Sequence, residues 1–253
     1  MEHENEITLW ENRLQSVGFT RNACIHHLKG YIEYRICELD YRCASCEFDQ
    51  YFQDQYRVHT VMEPVNYHSI DGISFPTGYY LTRGHAWVKL EEDQEVRVGM
   101  DDFVLRLLGP PDRIDLPLIG KKVVKGGQLL RFCRGEKSAS ILSPVTGVVT
   151  AVNRDVLKKR GAANLSPYCN GWMVMVQCEQ LREDIKEMLF MEESRAYLHE
   201  HIETLYDILE AETGLMAADG GNLGEDIYGN APGLEWDRLV ECFLGNSNRG
   251  VVF

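Results

Sequence analysis

Short apolar runs alternate with turn residues through the middle of the chain. Leu129–Cys133 and Ala139–Leu142 are two of these runs, and similar runs recur between about residues 76 and 178 with glycine, proline or charged residues between them. Apolar runs of this length, bounded by turn signals, are typical of strands in antiparallel sheets. The pattern predicts a small all-β sandwich or barrel in this region.

Apolar positions with helical spacing occur nearer the two ends of the chain. Residues 6–17 carry them and predict a short amphipathic helix, and residues 181–211 predict one or two more. A last helix is predicted to place five apolar side chains on one stripe: Trp236, Leu239, Val240, Phe243 and Leu244. Because such stripes usually face a core, we expect this helix to dock on its own domain rather than on a partner.

One hairpin is the most informative element of the middle region. The two runs named above are separated by Arg134–Ser138, a segment that contains a turn glycine and charged groups. This arrangement predicts a β-hairpin that presents Lys137 to solvent at its tip. A second turn follows at Ser143–Gly147, where proline fixes φ before another predicted strand, Val148–Val152. A rigid hairpin of this kind suits the display of a modified side chain.

Other local signals predict further elements. Trp87–Leu90 and Val96–Val98 flank an acidic turn and predict a hairpin. Asp101 can cap a short helix that Gly109 and the following prolines end. A strand is predicted over Tyr31–Cys37. Residues 62–78 hold two prolines and two glycines among polar residues, and this composition predicts a linker.

Four of the eight cysteines lie close together in the N-terminal segment. They are Cys24, Cys37, Cys43 and Cys46, with the spacing Cys-x12-Cys-x5-Cys-x2-Cys. Four thiolates can close a tetrahedral zinc site or hold an iron–sulfur cluster, and the spacing does not decide between the two. A thioredoxin-like dithiol is less favoured because no βαβ pattern surrounds the Cys-x-x-Cys pair. The remaining alternative is four reduced cysteines in an apolar setting.

The negative net charge of the chain limits the kinds of molecule that it is expected to bind. The chain has 253 residues, a formal net charge of −13 and a pI near 5.1, which disfavours non-specific binding to nucleic acid or anionic membranes. No apolar run approaches the roughly 20 residues that span a bilayer. The first six residues are polar or acidic except for Met1, and no apolar segment of signal-peptide type follows them. We expect a cytoplasmic protein without a signal peptide.

Several separated blocks of the middle region follow one another in a characteristic order. They are Gly84–Val88, Val98–Phe103, Leu116–Gly120, Val124–Gly127, Ser143–Gly147, Asn164, Pro167–Tyr168 and Gly171–Trp172. In this order the blocks resemble the lipoyl-carrying H protein of the glycine cleavage system. The resemblance covers Tyr79 to about Cys178 and implies a mainly β fold with α-helices. It predicts a lipoyl/biotinyl-type barrel-sandwich hybrid domain over residues 76–180, between a Cys-rich segment (1–75) and a helical extension (181–253). We expect His85, in the first block, to be a hydrogen-bonded structural residue.

The same resemblance implies a role for Lys137, because this residue falls on the lysine that carries lipoate in an amide bond. H proteins usually read Glu-Ser-x-Lys-Ala at this site, whereas this chain reads Arg-Gly-Glu-Lys-Ser from Arg134 to Ser138. A basic residue therefore replaces the acidic residue that, by resemblance, helps the lipoylating enzyme recognise its target. Gly-acid-Lys is similar to the hairpin of the lipoyl domains of 2-oxo-acid dehydrogenases. Biotin is disfavoured because Glu136 and Ser138 stand where biotinyl domains have methionines.

The function implied by the resemblance is that of a non-catalytic carrier rather than an enzyme. Lipoate on Lys137 would shuttle an aminomethyl-type fragment and electrons, and tethering makes transfer between sites effectively intramolecular. The implied partners are glycine decarboxylase, aminomethyltransferase, a dihydrolipoamide dehydrogenase-like enzyme and a lipoyl ligase or transferase. Two alternatives remain: an unlipoylated H-like binding or regulatory module, and a redox protein that uses a metal cluster at Cys24, Cys37, Cys43 and Cys46.

Overall fold

The computed structural model describes residues 23–28, 32–39, 41–49, 66–159, 161–213 and 223–245. The helix expected over residues 6–17 lies outside these ranges. The chain divides into two compact units, one of Met1–His59 with Leu118–Gly120 and one of Thr60–Pro117 with Lys121–Phe253.

The described part of the first unit contains short elements only. A helical turn, α1, spans Ile25–Leu28, a 3-10 turn spans Cys43–Ser45, and residues 47–49 are helical. The strand predicted over Tyr31–Cys37 is wrong for its described part, where the β-pairing is a single bridge from Ile36 to Ala23. The alternating sequence is typical of a strand, but Tyr34 and Ile36 are largely exposed, and next to the bridge the backbone N–H of Cys24 donates to the Arg35 carbonyl at 2.7 Å.

In the described part of the second unit, twelve strands form three antiparallel sheets. In chain order they are β1 Tyr67–Ile70, β2 Ile73–Pro76, β3 Tyr80–Leu81, β4 Ala86–Leu90, β5 Glu95–Met100, β6 Arg113–Asp115, β7 Lys122–Val123, β8 Gln128–Arg134, β9 Lys137–Leu142, β10 Gly147–Val152, β11 Trp172–Cys178 and β12 Leu189–Phe190. The largest sheet has the order β12-β3-β4-β5-β11-β10-β7, a second has the order β6-β8-β9, and β1 pairs with β2. The hairpins predicted around residues 87–98 and 129–142 are thereby confirmed.

Helices complete the second unit and cluster towards its C-terminal part. They are α2 Asp102–Leu108, α3 Asp155–Lys158, α4 Ala162–Leu165, α5 Leu181–Asp184, α6 Glu192–Thr213, α7 Ile227–Asn230 and α8 Trp236–Leu244, with a 3-10 turn at Ile185–Glu187. The helix predicted after Asp101 is confirmed, because an Asp101 side-chain oxygen accepts a 2.9 Å hydrogen bond from the Val104 N–H. The prediction of helix throughout 181–211 is partly wrong, since Leu189–Phe190 pairs with β3. Within the described part of the chain, no helix combines the length and apolar character needed to cross a membrane.

The expected linker at residues 62–78 contains a hairpin instead. β1 and β2 pair through a two-residue turn, Asp71–Gly72, with Ile70 opposite Ile73. Both isoleucines are buried, so this hairpin contributes to the core and does not act as a spacer. The prediction of a linker was wrong for residues 67–76. It relied on the polar composition of the segment and gave too little weight to the Asp-Gly dipeptide between apolar residues, which is a hairpin turn signal.

The last helix packs on the second unit, as its apolar stripe predicted. The five stripe residues of α8 are all buried, and Phe243 meets Phe103 of α2 edge to face with ring centroids 5.3 Å apart. Trp87 is fully buried in the core, and Trp172 is half-buried under the guanidinium of Arg97. The C-terminal helices therefore belong to the same hydrophobic core as the sheets.

Candidate functional site

Lys137 is the first residue of β9 and follows a two-residue turn. Arg134 at the end of β8 pairs with Lys137 across the turn, and Gly135 takes a φ of 56°, a value that favours glycine. Both Glu136 and Lys137 are exposed. The predicted presentation of Lys137 at the tip of the hairpin is therefore present in the structure.

The alternation of side chains along β8 and β9 determines on which face of the hairpin Lys137 and Arg134 lie. Side chains two residues apart share one face of a strand, so Arg134 lies on the same face as Phe132, and Lys137 on the same face as Ala139. Phe132 and Ala139 are buried and paired across the hairpin. Trp236 of α8 stacks on Phe132, with ring centroids 6.3 Å apart and an interplanar angle of 26°. The face of the hairpin that carries the two basic residues is thus the face that the C-terminal helix covers.

Arg134 is held by the segment that precedes α8. Its two terminal nitrogens donate to the two carboxylate oxygens of Asp226 at 2.6 and 2.8 Å, a bidentate ion pair. One of these nitrogens also donates to the Leu108 carbonyl at 2.6 Å, and the guanidinium carbon lies 5.4 Å from the centre of the Tyr228 ring. Only 18% of the Arg134 side chain and 25% of the Asp226 side chain are exposed. Arg134 therefore acts as an anchor between the hairpin and the C-terminal segment.

Two glycines leave the space that this ion pair occupies. A methyl group added to Gly109 or to Gly229 would overlap both the Arg134 guanidinium and the Asp226 carboxylate. Gly109 also takes a φ of 71° as the residue that ends α2. Any larger residue at either position would displace the pair.

Lys137 itself makes a looser contact with the same helix. Its Nζ lies 3.2 Å from a carboxylate oxygen of Asp237, the residue after Trp236, and the two side chains are 46% and 85% exposed. Ion pairs this exposed contribute little to stability. Beside this pair, the indole N–H of Trp236 donates to the Ser138 carbonyl at 3.1 Å. Lys137 is therefore accessible, with Asp237 as an acidic neighbour.

His85 is buried and hydrogen-bonded, as expected for a structural histidine. Its Nδ1 lies 2.6 Å from a carboxylate oxygen of Asp101, and its Nε2 lies 2.9 Å from Nδ1 of His201 on α6. The pKa of His201 is lowered to about 4, chiefly by burial and to a lesser extent by the neighbouring His85 and Arg83. The cluster joins the β4 end of the sheet to α2 and α6.

The four cysteines of the first unit line one cavity of about 300 Å³: Cys24, Cys37, Cys43 and Cys46. These four described cysteines are not joined in disulfides. The backbone N–H of Tyr41 donates to the Cys37 sulfur at 3.1 Å. Burial raises the pKa of the Tyr41 phenol, and the nearby Cys37, Cys24 and Cys43 add to that rise. However, no three histidine, cysteine or acidic side chains in the described ranges are grouped closely enough to hold a metal ion.

The remaining cysteines belong to the second unit. Cys133 is on β8, Cys169 lies 3.4 Å from the Tyr67 hydroxyl, and Cys242 is exposed on α8. Cys178 is buried at the end of β11, where burial raises the pKa of its thiol to about 12. Cys178 therefore behaves as a small apolar residue.

Known proteins resemble the region that contains the hairpin. A family model described as "Glycine cleavage H-protein" matches residues 79–201. A "Probable glycine cleavage system H protein" of Pyrococcus horikoshii is 31% identical over 121 residues, which cover 48% of this chain and 90% of that protein. The chain belongs to the glycine cleavage H-protein family. An H protein of Legionella pneumophila (strain Corby) is 38% identical over 109 residues, which cover 43% of this chain and 85% of that protein. The crystal structure of an H protein from Mycobacterium marinum aligns with a TM-score of 0.40 and 24% identity over 42% of this chain and 87% of that one.

Membership of the H-protein family agrees with the predicted fold class. The architecture is mainly β with helices, and an H-protein-like domain is joined by C-terminal helices. Lys137 and Arg134 lie inside the matched range of residues 79–201. The two carboxylates that contact them, Asp226 and Asp237, lie outside it, as do the four N-terminal cysteines. The match thus covers the hairpin but not the segment that packs on it.

Proposed function

We propose that this protein is a non-catalytic lipoyl carrier of the glycine cleavage type and that Lys137 is the residue that carries lipoate. The observation that carries the proposal is the position of Lys137 beside a two-residue turn in a chain of the H-protein family. An exposed amine on a hairpin fits a group that must project into the active sites of other proteins. Lipoate bound there in an amide would supply a dithiolane able to accept a fragment and electrons.

The residues of this chain would hold and orient that arm. β8 and β9 pair along their length and bury Phe132 and Ala139, so the base of the arm is a rigid strand end. Arg134 fixes the opposite strand end through Asp226. A rigid base limits the volume that the tethered group explores, which raises its effective concentration at a docked partner.

The partners that we propose follow from the family. They are a glycine decarboxylase, an aminomethyltransferase and a dihydrolipoamide dehydrogenase-like enzyme, with a lipoyl ligase or transferase that modifies Lys137. The carrier would pass an aminomethyl-type fragment and electrons among them in the cytoplasm. The net charge of −13 supports docking on basic surfaces of such enzymes and disfavours nucleic acid.

The intact mass of the protein tests this function. The chain is produced in cells that contain a lipoylation system and a supply of lipoate, as wild type, Lys137→Arg and Lys158→Arg. Lys158 is an exposed lysine on α3 and serves as the matched control. We expect an increase of one lipoyl group in wild type and Lys158→Arg, and none in Lys137→Arg. An unmodified wild-type chain, also in the presence of the source organism's own ligase, would favour the unlipoylated binding or regulatory module.

A second function is proposed for the first unit, where a metal ion would join Cys24, Cys37, Cys43 and Cys46. The observation in its favour is that all four thiols line one cavity. Because no group in the described ranges has the spacing of a formed site, we propose that binding draws the thiolates together. Zinc would give a structural staple, and an iron–sulfur cluster would give a redox protein.

Metal content distinguishes these outcomes. The metal in wild type, Cys43→Ser and the control Cys169→Ser is measured by mass spectrometry, together with the visible absorption spectrum. We expect about one equivalent of metal in wild type and Cys169→Ser and a loss in Cys43→Ser. Zinc without colour would indicate a structural site, and iron with a visible band would indicate a cluster. Protein without metal after purification under reducing, oxygen-free conditions would contradict the proposal.

A further inference from the structure

The segment that follows the family match is fixed against the hairpin at several points. We call residues 223–245 the C-terminal cap. It is bound through the Arg134–Asp226 ion pair and through the Trp236 indole, which donates to the Ser138 carbonyl. A third contact joins Arg106 of α2, whose guanidinium donates to the Leu223 carbonyl at 3.0 Å. These contacts position the cap by the strand that begins with Lys137.

The cap also determines the charges around Lys137. The Arg134 charge is paired and mostly buried, so it contributes little to the exposed surface. The exposed carboxylate next to Lys137 is that of Asp237, which lies 3.2 Å from Nζ, and Glu136 is exposed in the turn. The lysine is thus bordered by acidic groups, and one of them belongs to the cap and not to the hairpin.

We propose that the C-terminal cap is a recognition element for the enzyme that attaches lipoate to Lys137, and that Asp237 is its specificity-determining residue. This inference rests on the carrier function proposed above. In the attachment step, an amide bond forms between Nζ and the acyl carbon of lipoate that ATP has activated as an acyl adenylate. The acyl–phosphate bond breaks, AMP leaves, and the lysine ammonium gives up two protons.

The geometry places the cap next to the atom on which that enzyme acts. The enzyme must bring an acyl carbon to bonding distance of Nζ, and a carboxylate oxygen of Asp237 lies 3.2 Å from the same atom. Because Asp237 is 85% exposed, a basic side chain of the enzyme can reach it without removing other groups. Complementary charge at such a rim accelerates encounter and selects among partners.

Trp236 is the positioning residue in this arrangement. Its ring stacks on Phe132 and also meets Tyr228 edge to face, with ring centroids 5.0 Å apart. Its N–H bond to Ser138 ties the start of α8 to the residue after Lys137. The substitution Trp236→Phe keeps an aromatic ring and removes this donor, so it changes where Asp237 lies without changing the charge of the cap.

The test measures the rate of lipoyl transfer to the full chain. Unmodified protein is incubated with a purified lipoyl ligase, lipoate and ATP, and modification is followed by intact mass. The variants are Asp237→Asn, Asp237→Glu, Trp236→Phe and the double variant Asp237→Asn/Trp236→Phe. Glu241→Gln is the matched control, because it removes the same charge from an exposed position of the same helix.

We expect Asp237→Asn to slow transfer roughly three- to tenfold at low salt, with a smaller difference at high salt. Asp237→Glu and Glu241→Gln should stay within about twofold of wild type on the same grounds. Trp236→Phe should slow transfer, and the double variant should be no slower than Asp237→Asn, because both changes act through one carboxylate. Equal melting temperatures of wild type and Asp237→Asn would exclude a folding effect.

The outcomes separate the two proposals. A wild-type chain modified at the same rate as Asp237→Asn, or more slowly than it, would overturn the role of the cap and leave the carrier function standing. If Glu241→Gln slowed transfer as much as Asp237→Asn, the cause would be the total charge of the helix and not recognition of Asp237. That result would also overturn the inference. A wild-type chain that neither a lipoyl ligase nor a lipoyl transferase modifies would refute the carrier function and this inference with it.

Discussion

Arg134 and Asp226 are 92 residues apart in the chain and form a bidentate ion pair next to the lysine hairpin. Arg134 stands where the resemblance to H proteins implies an acidic residue. Its contacts explain the departure in structural terms, since an acidic residue at this position would face the Asp226 carboxylate and the Leu108 carbonyl. The basic residue at 134 and the C-terminal cap therefore depend on each other.

Removal of the guanidinium should destabilise the second unit. We expect Arg134→Ala to lower the free energy of unfolding by about 2–3 kcal/mol, because it leaves a partly buried carboxylate without its partner. Urea unfolding followed by tryptophan fluorescence measures this change. Arg131→Ala, an exposed position on the same strand, is the control and should cost less than ~0.5 kcal/mol.

The pairing itself is tested by a double-mutant cycle. If Arg134 acts through Asp226, the combined Arg134→Ala/Asp226→Ala variant should be clearly less destabilised than the sum of the single variants. Additive losses would show that the two side chains stabilise the fold independently, and would contradict the account of residue 134.

The tight packing of two glycines against the Arg134–Asp226 ion pair gives a further expectation. Gly229→Ala should destabilise the protein by about 1–3 kcal/mol, because the new methyl group would overlap the guanidinium and the carboxylate. Gly224 is the matched control within the cap: neither glycine has a positive φ, and nothing lies within 4 Å of a methyl group at 224. Gly224→Ala should be neutral or slightly stabilising. Urea unfolding measures both variants. Equal decreases in the urea midpoints of Gly229→Ala and Gly224→Ala would contradict this account.

Local sequence signals were sufficient for the hairpin that carries Lys137. Gly135 between two apolar strands specifies both the turn and the register, and the alternation along β8 and β9 follows from that register. The stripe on α8 likewise predicted that the helix docks on its own domain, since Trp236 and Phe243 could not remain in water. These features depend on residues that are close in the chain.

The environment of Lys137 could not be predicted in the same way. Asp226 and Asp237 were two acidic residues among many in a chain with 39 of them, and no periodicity links them to a hairpin about 100 residues earlier. The one available signal was Arg134, a charged residue whose position on the inner face of β8 required a buried partner. The contact between His85 and His201, 116 residues apart, was hidden for the same reason.

Thiol reactivity gives an expectation for the first unit that does not depend on metal analysis. If a metal joins the four cysteines, Cys43 and Cys46 should resist alkylation at pH 8 and become reactive after a chelator is added. Cys169 should react equally before and after the chelator, and Cys178 should react only after unfolding, since burial raises its pKa to about 12. Peptide mass spectrometry reports each site. Equal labelling of Cys43 with and without chelator would contradict the metal site.

The contact between buried His85 and half-buried His201 should make stability depend on pH. Burial lowers the pKa of His201 to about 4 from the usual 6.5, so below pH 6.5 the unfolded chain binds a proton that the folded chain does not. The His201 contribution is therefore complete above pH 6.5 and is lost as the pH falls towards 4. Urea unfolding of wild type and His201→Gln between pH 7.5 and 4.5 measures this loss.

The comparison of variants isolates His201 from the carboxylates that also titrate in acid. We expect the stability of His201→Gln to fall less steeply between pH 6.5 and 4.5 than that of wild type, although the variant is less stable at pH 7.5. His199→Gln, on the same helix, is the control: His199 is exposed and lies 3.1 Å from Asp71, so the steep wild-type fall should persist. Parallel curves for wild type and His201→Gln would mean that His201 titrates alike in both states, and would contradict desolvation as the dominant effect on its imidazole.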